Sequence, residues 1–306
     1  MPESAIASVY SCAMTRWNIN RIPDLAGRTV IITGANSGLG LHAARALGRA
    51  GAHVVLAVRD QRKGDHAAAS VPGTPEVRRL DLGDLSSIRG FAESWSGEAA
   101  VLINNAGVMF PPEGSTVDGF ETQFGTNHLG HFALTNLLLP HLTDRVVTLA
   151  SGLHRSVNGI EWDNPNLRGA YNPQRAYGQS KLANLLFTLE LQRRLEACGS
   201  PVRAMAAHPG YAATNLQSHA GNAVLRRLMA VGNRLIAQGA EAGSLPTLFA
   251  ATEDLPGNSY AGPSGLGEMR GAPTLVGRSA AAADPAAANR LWAMSEELTG
   301  VTFPLS

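Results

Sequence analysis

The chain has 306 residues and is 44% apolar, enough for one large domain or two small ones and too apolar for a disordered polymer. Lys and Arg total 25 against 24 Asp and Glu, and this formal net charge of +1, with no block of like charge, argues against a nucleic-acid partner. Two cysteines, Cys12 and Cys198, supply neither a disulfide framework nor metal-ligand spacing, so no metal is expected and a reducing, cytoplasmic setting fits.

In chain order, residues 1–24 show no period and no basic-then-apolar signal pattern, and read as a loose, partly disordered tail. From Arg28 short apolar runs alternate with longer helical stretches, the pattern of an α/β doubly wound parallel sheet with helices on both faces. Strands are expected at 29–33, 53–58, 77–80, 100–103, 145–150 and 202–207, with a seventh at 259–262. Leu39, Ala43, Leu47 and Ala50 share one helix face, and Gly51 stands where a C-terminal cap belongs. The longest apolar runs, such as 133–139, fall far short of the ~20 residues needed to span a bilayer. Asn172 and Pro173 open a long helix to Cys198, with Leu182, Leu185, Leu186 and Leu189 as its buried stripe. Residues 211–248 are apolar with scattered arginines, including Leu225, Leu228, Met229, Val231, Leu235 and Ile236. Residues 257–278, rich in Gly and Pro, read as an ordered connecting loop, and Asp284 and Pro285 start a last helix to about residue 298. No boundary divides residues 25–306, which form a single domain.

Four constellations carry chemistry. Between the first strand and helix lies Thr33-Gly34-Ala35-Asn36-Ser37-Gly38-Leu39-Gly40. Glycines there let the backbone turn tightly against a pyrophosphate, whose charge the helix N-terminus favours. Tyr177 and Lys181 stand four residues apart, one turn along the same helix face. An ammonium so placed stabilises phenolate and lowers the tyrosine pKa, allowing Tyr177 to shuttle a proton. Ser151 follows the fifth strand, where doubly wound sheets form their ligand crevice. A nucleophilic Ser151 with His154 is disfavoured, because Leu149-Ala150-Ser151-Gly152-Leu153 lacks the first glycine of a nucleophile elbow. At the end of the second strand, Arg59, about 20 residues past the glycines and flanked by Arg62 and Lys63, suits the 2′-phosphate of NADP(H). Asp60 beside it leaves NAD(H) open. His128 and His131 have no evident third ligand and read as packing or surface residues.

The glycine spacing, Asp81-Leu82, Asn104-Asn105-Ala106-Gly107, Asn127, Ser151, Tyr177-x-x-x-Lys181 and Pro209-Gly210 together resemble the short-chain dehydrogenase/reductase family over roughly residues 25–300. The words Thr-Gly-Ala-Asn-Ser-Gly-Leu-Gly, Tyr-Gly-Gln-Ser-Lys-Leu-Ala-Asn and Gly-Glu-Met-Arg-Gly look most like its retinol-dehydrogenase-like and protochlorophyllide-reductase-like branch. The resemblance implies a Rossmann fold of about seven strands and an Asn127, Ser151, Tyr177, Lys181 catalytic set, with Asn127 holding a water that links the lysine to solvent. It further implies cofactor contacts at Gly34, Asn36, Ser37, Gly38, Leu39, Gly40 and Arg59, and at Asp81 and Leu82 for the adenine. Asn104, Ala106 and Gly107 would support the cofactor, and Pro209, Gly210 and Thr214 would contact nicotinamide and pyrophosphate. Residues 211–248 would then be a substrate lid, the same apolar stripe serving equally well as core or as a dimer contact. The separation of Ser151 from Tyr177 exceeds that of compact members and implies an insertion around 157–170, with Trp162 near the site or covering core. The expected activity is carbonyl reduction, or the reverse alcohol oxidation, of a lipophilic small molecule. A silent dinucleotide sensor and a same-fold epimerase or dehydratase are the rivals. Pairing through the Tyr-bearing helix into a homodimer or homotetramer is expected by the same resemblance.

Overall fold

The computed structural model describes residues 17–210 and 239–305. Its strands are β1 (Thr29–Thr33), β2 (His53–Val58), β3 (Glu76–Arg79), β4 (Ala99–Asn104), β5 (Leu142–Leu149), β6 (Arg203–Ala207), β7 (Tyr260–Pro263) and β8 (Pro273–Leu275). They form one sheet in the order β3-β2-β1-β4-β5-β6-β7-β8, parallel throughout except for the antiparallel β7–β8 pair. Strands such as Val30–Ile31–Ile32 bury every side chain because helices cover both faces, which is why they read as unbroken apolar runs. The helices are α1 (Gly38–Arg49), α2 (Gln61–Ala68), α3 (Leu85–Glu93), α4 (Gly130–Leu138), α5 (Pro173–Ala197), α6 (Ala240–Thr252) and α7 (Pro285–Thr299). Asn172 caps α5 by accepting the Arg175 amide at 2.9 Å, and Asp284 caps α7 through the amides of Ala286 and Ala287.

Three expectations need correction. The sheet has an eighth strand, inside the segment 257–278 read as a connecting loop: three residues are too few to show a period. The tail reading fails from Trp17 onward. Its indole is buried, donates to Glu253 Oε1 at 2.7 Å and meets Phe249 edge-on at 5.7 Å, while Leu25 joins the same core. Residues 1–16 lie outside the described part. Of the readings open for 211–248, core replaces lid over 240–248, because α6 packs on α1 and sends Leu248, with Phe249 beyond it, into the core beneath the sheet. Residues 211–238 of that stretch lie outside the described part.

On the opposite face, α5 is sheathed by its own chain. Within 176–192 all of its residues but Leu189 are buried. Trp292 of α7 stacks on Phe187 of α5 at 5.8 Å, and the Arg194 guanidinium covers Trp292 at 4.5 Å. The central stretch of this helix therefore offers no exposed face for the expected pairing.

Candidate active site

The site opens at the carboxyl ends of β1, β4 and β5, where the strand order reverses direction around β1 and β4. A cavity of about 230 Å³ is lined there by Gly34, Asn36, Ser37, Gly38, Leu39 and Gly40 from the β1–α1 turn. Gly34 has φ +66°, and a Cβ on it would stand 2.9 Å from the Ala106 methyl. A Cβ on Gly40 would fall 2.5 Å from Asn105 Nδ2 and 2.8 Å from the Gly34 carbonyl. Side chains at either position would fill the turn from within.

Thr33 organises this turn. Its hydroxyl oxygen accepts the amides of Asn105 and Ala106, both at 2.9 Å, and lies 2.9 Å from His131 Nε2. His131 Nδ1 lies 3.0 Å from the Asn127 carbonyl, so the neutral ring donates there and accepts the Thr33 hydroxyl proton at Nε2. Asn127 sits in a π-helical segment, Gly125–Leu129, ahead of α4. Its side chain is pinned by both backbone groups of Val108, at 2.8 and 3.0 Å, and by the Ser180 hydroxyl at 3.0 Å. The residue is therefore a buried brace between the loop that follows β4 and α5.

Burial pushes the pKa of His131 down to about 4, the charge of Lys181 adding to the effect, and pushes His128 down to about 3. Both are core residues rather than surface ones. An unfolded chain takes up protons on these rings near pH ~6.5 that the native fold refuses. Stability should thus be full above about pH 6.5 and decline as the pH falls toward 4, by up to ~1.4 kcal/mol per pH unit for each ring. Calorimetric Tm against pH checks this, and His131→Gln should flatten the decline.

Tyr177 and Lys181 both line the cavity and are both buried. The Lys181 ammonium donates to the Leu149 carbonyl at 3.0 Å and stands 5.6 Å from the centre of the Tyr177 ring. Burial pushes Lys181 down to about 8 and Tyr177 up to about 12, the latter opposed by a hydrogen bond from the Ser151 side chain. The depression of the tyrosine expected from the four-residue spacing is overridden here, because desolvation of the phenolate outweighs the help it receives. Ser151 does not line the cavity: its oxygen accepts the Leu153 amide at 3.2 Å, and its neighbour Ala150 takes the place on the wall. Phe110, a non-glycine residue at φ +55°, stands edge-on to Tyr177 at 5.4 Å. His154 faces the Ser151 carbonyl rather than its hydroxyl, at 2.7 Å, which leaves no nucleophile–base pair.

Of the remaining expected contacts, Ala106, Gly107 and Pro209 line the cavity. Asn104 does not: it is buried within the sheet, donating to Thr135 and Thr148, and its neighbour Asn105 takes the place beside the glycines. Asp81 bonds its own turn through the Gly83 amide at 3.0 Å, and Leu82 packs in the core against Gly130, so neither lines the cavity. Gly210 donates its amide to His208 Nδ1 at 3.2 Å behind Pro209. Thr214 lies outside the described residues. Arg59 is exposed and lines neither this cavity nor a second one formed by Asn36, Ser37, Asp60, Arg62, Lys63 and His66. Asp60 caps α2, accepting the Lys63 amide at 3.2 Å, which holds its carboxyl below the usual carboxylate range. Asn105, Val108, Leu149 and Ala150 are lining residues that sequence reasoning missed. Trp162 lies under the Arg290 guanidinium at 4.4 Å and covers core. Among the described residues no group of three or more His, Cys, Asp or Glu is placed to hold a metal, and no helix is long and apolar enough to cross a membrane.

Comparison with known proteins adds independent findings. Residues 28–225 match the family model described as short chain dehydrogenase. The chain is 41% identical over 297 residues to human retinol dehydrogenase 13, covering 92% of this chain and 87% of that one. It is 39% identical over 302 residues to mouse polyprenol dehydrogenase, covering 91% and 86%. A crystal structure of a protein from Mycobacterium paratuberculosis, 55% identical, superimposes with a TM-score of 0.82 over 95% of this chain and 100% of that one.

Proposed function

Because the chain belongs to the short-chain dehydrogenase family, in its retinol-dehydrogenase-like branch, we propose that it is an NADPH-dependent reductase of lipophilic carbonyl compounds. The observation that carries this reading is the cavity in which Tyr177, one turn from Lys181, shares a wall with the glycine turn.

The residues fit a dinucleotide. The turn at Gly34 and Gly40 has no room for side chains, and the buried Lys181 ammonium spends one hydrogen bond on Leu149, leaving donors for ribose hydroxyls. Arg62, Lys63 and His66, beside Asn36 and Ser37, offer a cationic pocket for a 2′-phosphate. Asp60, the acidic residue that would favour NAD, is engaged at the α2 cap. When bound, the dinucleotide supplies the hydride. Tyr177, protonated at neutral pH, is in the form that gives a proton to a developing alkoxide oxygen, which Ser151 would also hold. Lys181, cationic below pH about 8, stabilises negative charge on the phenol oxygen as the proton leaves. The names of the relatives, a retinol and a polyprenol dehydrogenase, support a long apolar substrate.

The test is consumption of NADPH by the pure protein with a panel of lipophilic aldehydes and ketones. Inertness toward all of them would leave a silent sensor as the better reading. In the same assay, Arg62→Ala with Lys63→Ala should raise the KM for NADPH about 100-fold and leave that for NADH nearly unchanged, since each charge-assisted phosphate contact is worth about tenfold or more.

A further inference from the structure

Behind the cavity, one carboxylate joins segments that follow three different strands. Glu268 lies between β7 and β8, at φ +56°, a left-handed conformation that a non-glycine residue adopts only when its surroundings hold it there. Its carboxylate accepts both terminal nitrogens of Arg155, at 3.2 and 3.3 Å. His208 Nε2 lies 3.0 Å from the same carboxylate. Because His208 Nδ1 accepts the Gly210 amide, the neutral ring carries its proton on Nε2, toward Glu268. That contact is close but poorly aligned for a hydrogen bond, so its attraction is electrostatic.

Each partner leads to the edge of the cavity. Arg155 belongs to the turn that starts at Ser151, and the same turn is fixed by His154, which donates to the Ser151 carbonyl and accepts the Ser279 amide at 3.2 Å. His208 immediately precedes Pro209, a wall of the cavity. Arg155 and Glu268 are partly exposed, so their pairing adds little stability, while the left-handed backbone at Glu268 subtracts some. Stability alone does not account for a glutamate at this position.

We infer that Glu268 is a positioning residue: by holding Arg155 and His208 at once, it sets the distance between Ser151 and Pro209 and so the space in which a carbonyl is bound. The kinetic part of this inference rests on the reductase reading above; the structural part does not.

Glu268→Gln keeps the side chain's shape and removes its charge, and Arg155→Met cuts the same link from the other end. Each should raise the KM for a carbonyl substrate such as a long-chain aldehyde about tenfold, with kcat and NADPH affinity nearly unchanged, and the double variant should be no worse than either. Amide hydrogen exchange in Glu268→Gln should quicken together at 151–156 and 207–210. Exchange that changes only around 265–271, or not at all, overturns the inference, as does an unchanged KM in an active enzyme. If the wild-type protein reduces no carbonyl, the reductase reading falls, and hydrogen exchange alone decides the role of Glu268.

Discussion

Tyr177→Phe should lower kcat/KM for carbonyl reduction by about 10³-fold or more while NADPH affinity changes less than about twofold. The substitution removes one oxygen and leaves the ring, with its edge-on contact to Phe110 and its place beside the Lys181 ammonium, as it was. On the proposed reaction, what disappears is the proton that the phenol would give to the alkoxide. Steady-state kinetics together with a fluorescence titration of NADPH separate the two effects. Undiminished turnover would remove Tyr177 from the chemistry.

Lys181→Met should be nearly as damaging, about 10²- to 10³-fold in kcat/KM, and should also weaken NADPH binding about tenfold, because a buried cation serves both the phenol and the bound nucleotide. The fold should survive. Leu149's carbonyl keeps a second donor, Asn184 Nδ2 at 2.9 Å, when the ammonium is gone. The wild-type pH profile carries a further signature: with Lys181 at about 8, the charged form is lost as pH rises through that value, so activity should decline on the alkaline side. That limb should be missing from whatever activity the methionine variant retains.

The parts of this site that could be read from sequence are those whose geometry is local. The glycine turn and the Tyr177–Lys181 spacing each follow from a helix or strand period, and the structure brings them to one cavity, while Ser151 follows the lining residue Ala150 without lining the cavity itself. Where the reading depended on one residue at a strand end, sequence reasoning named Asn104 while the structure lines the cavity with Asn105, because the last residue of β4 still lies within the sheet and the next one turns out of it. The same holds for Arg59, exposed at the strand end, against Arg62 and Lys63 on the first turn of α2. Here a signal existed: Asp60 is a good N-cap residue at the mouth of that helix, which would have predicted both its engagement and the placing of the basic pair. The balance between charge and burial at Tyr177 had no sequence signal, since burial is set by chain segments far away. Glu268 likewise reaches Arg155 across more than 100 residues of sequence.

The roof that Trp292 and its neighbours place over α5 makes the helix that bears Tyr177 and Lys181 an internal beam. Shortening the chain ahead of Asp284 would lay bare Phe132 and Phe187, now shielded by that indole, and turn an inert flank into adhesive surface. Helix α7 thus keeps apolar rings covered at the very element that carries the phenol and the amine.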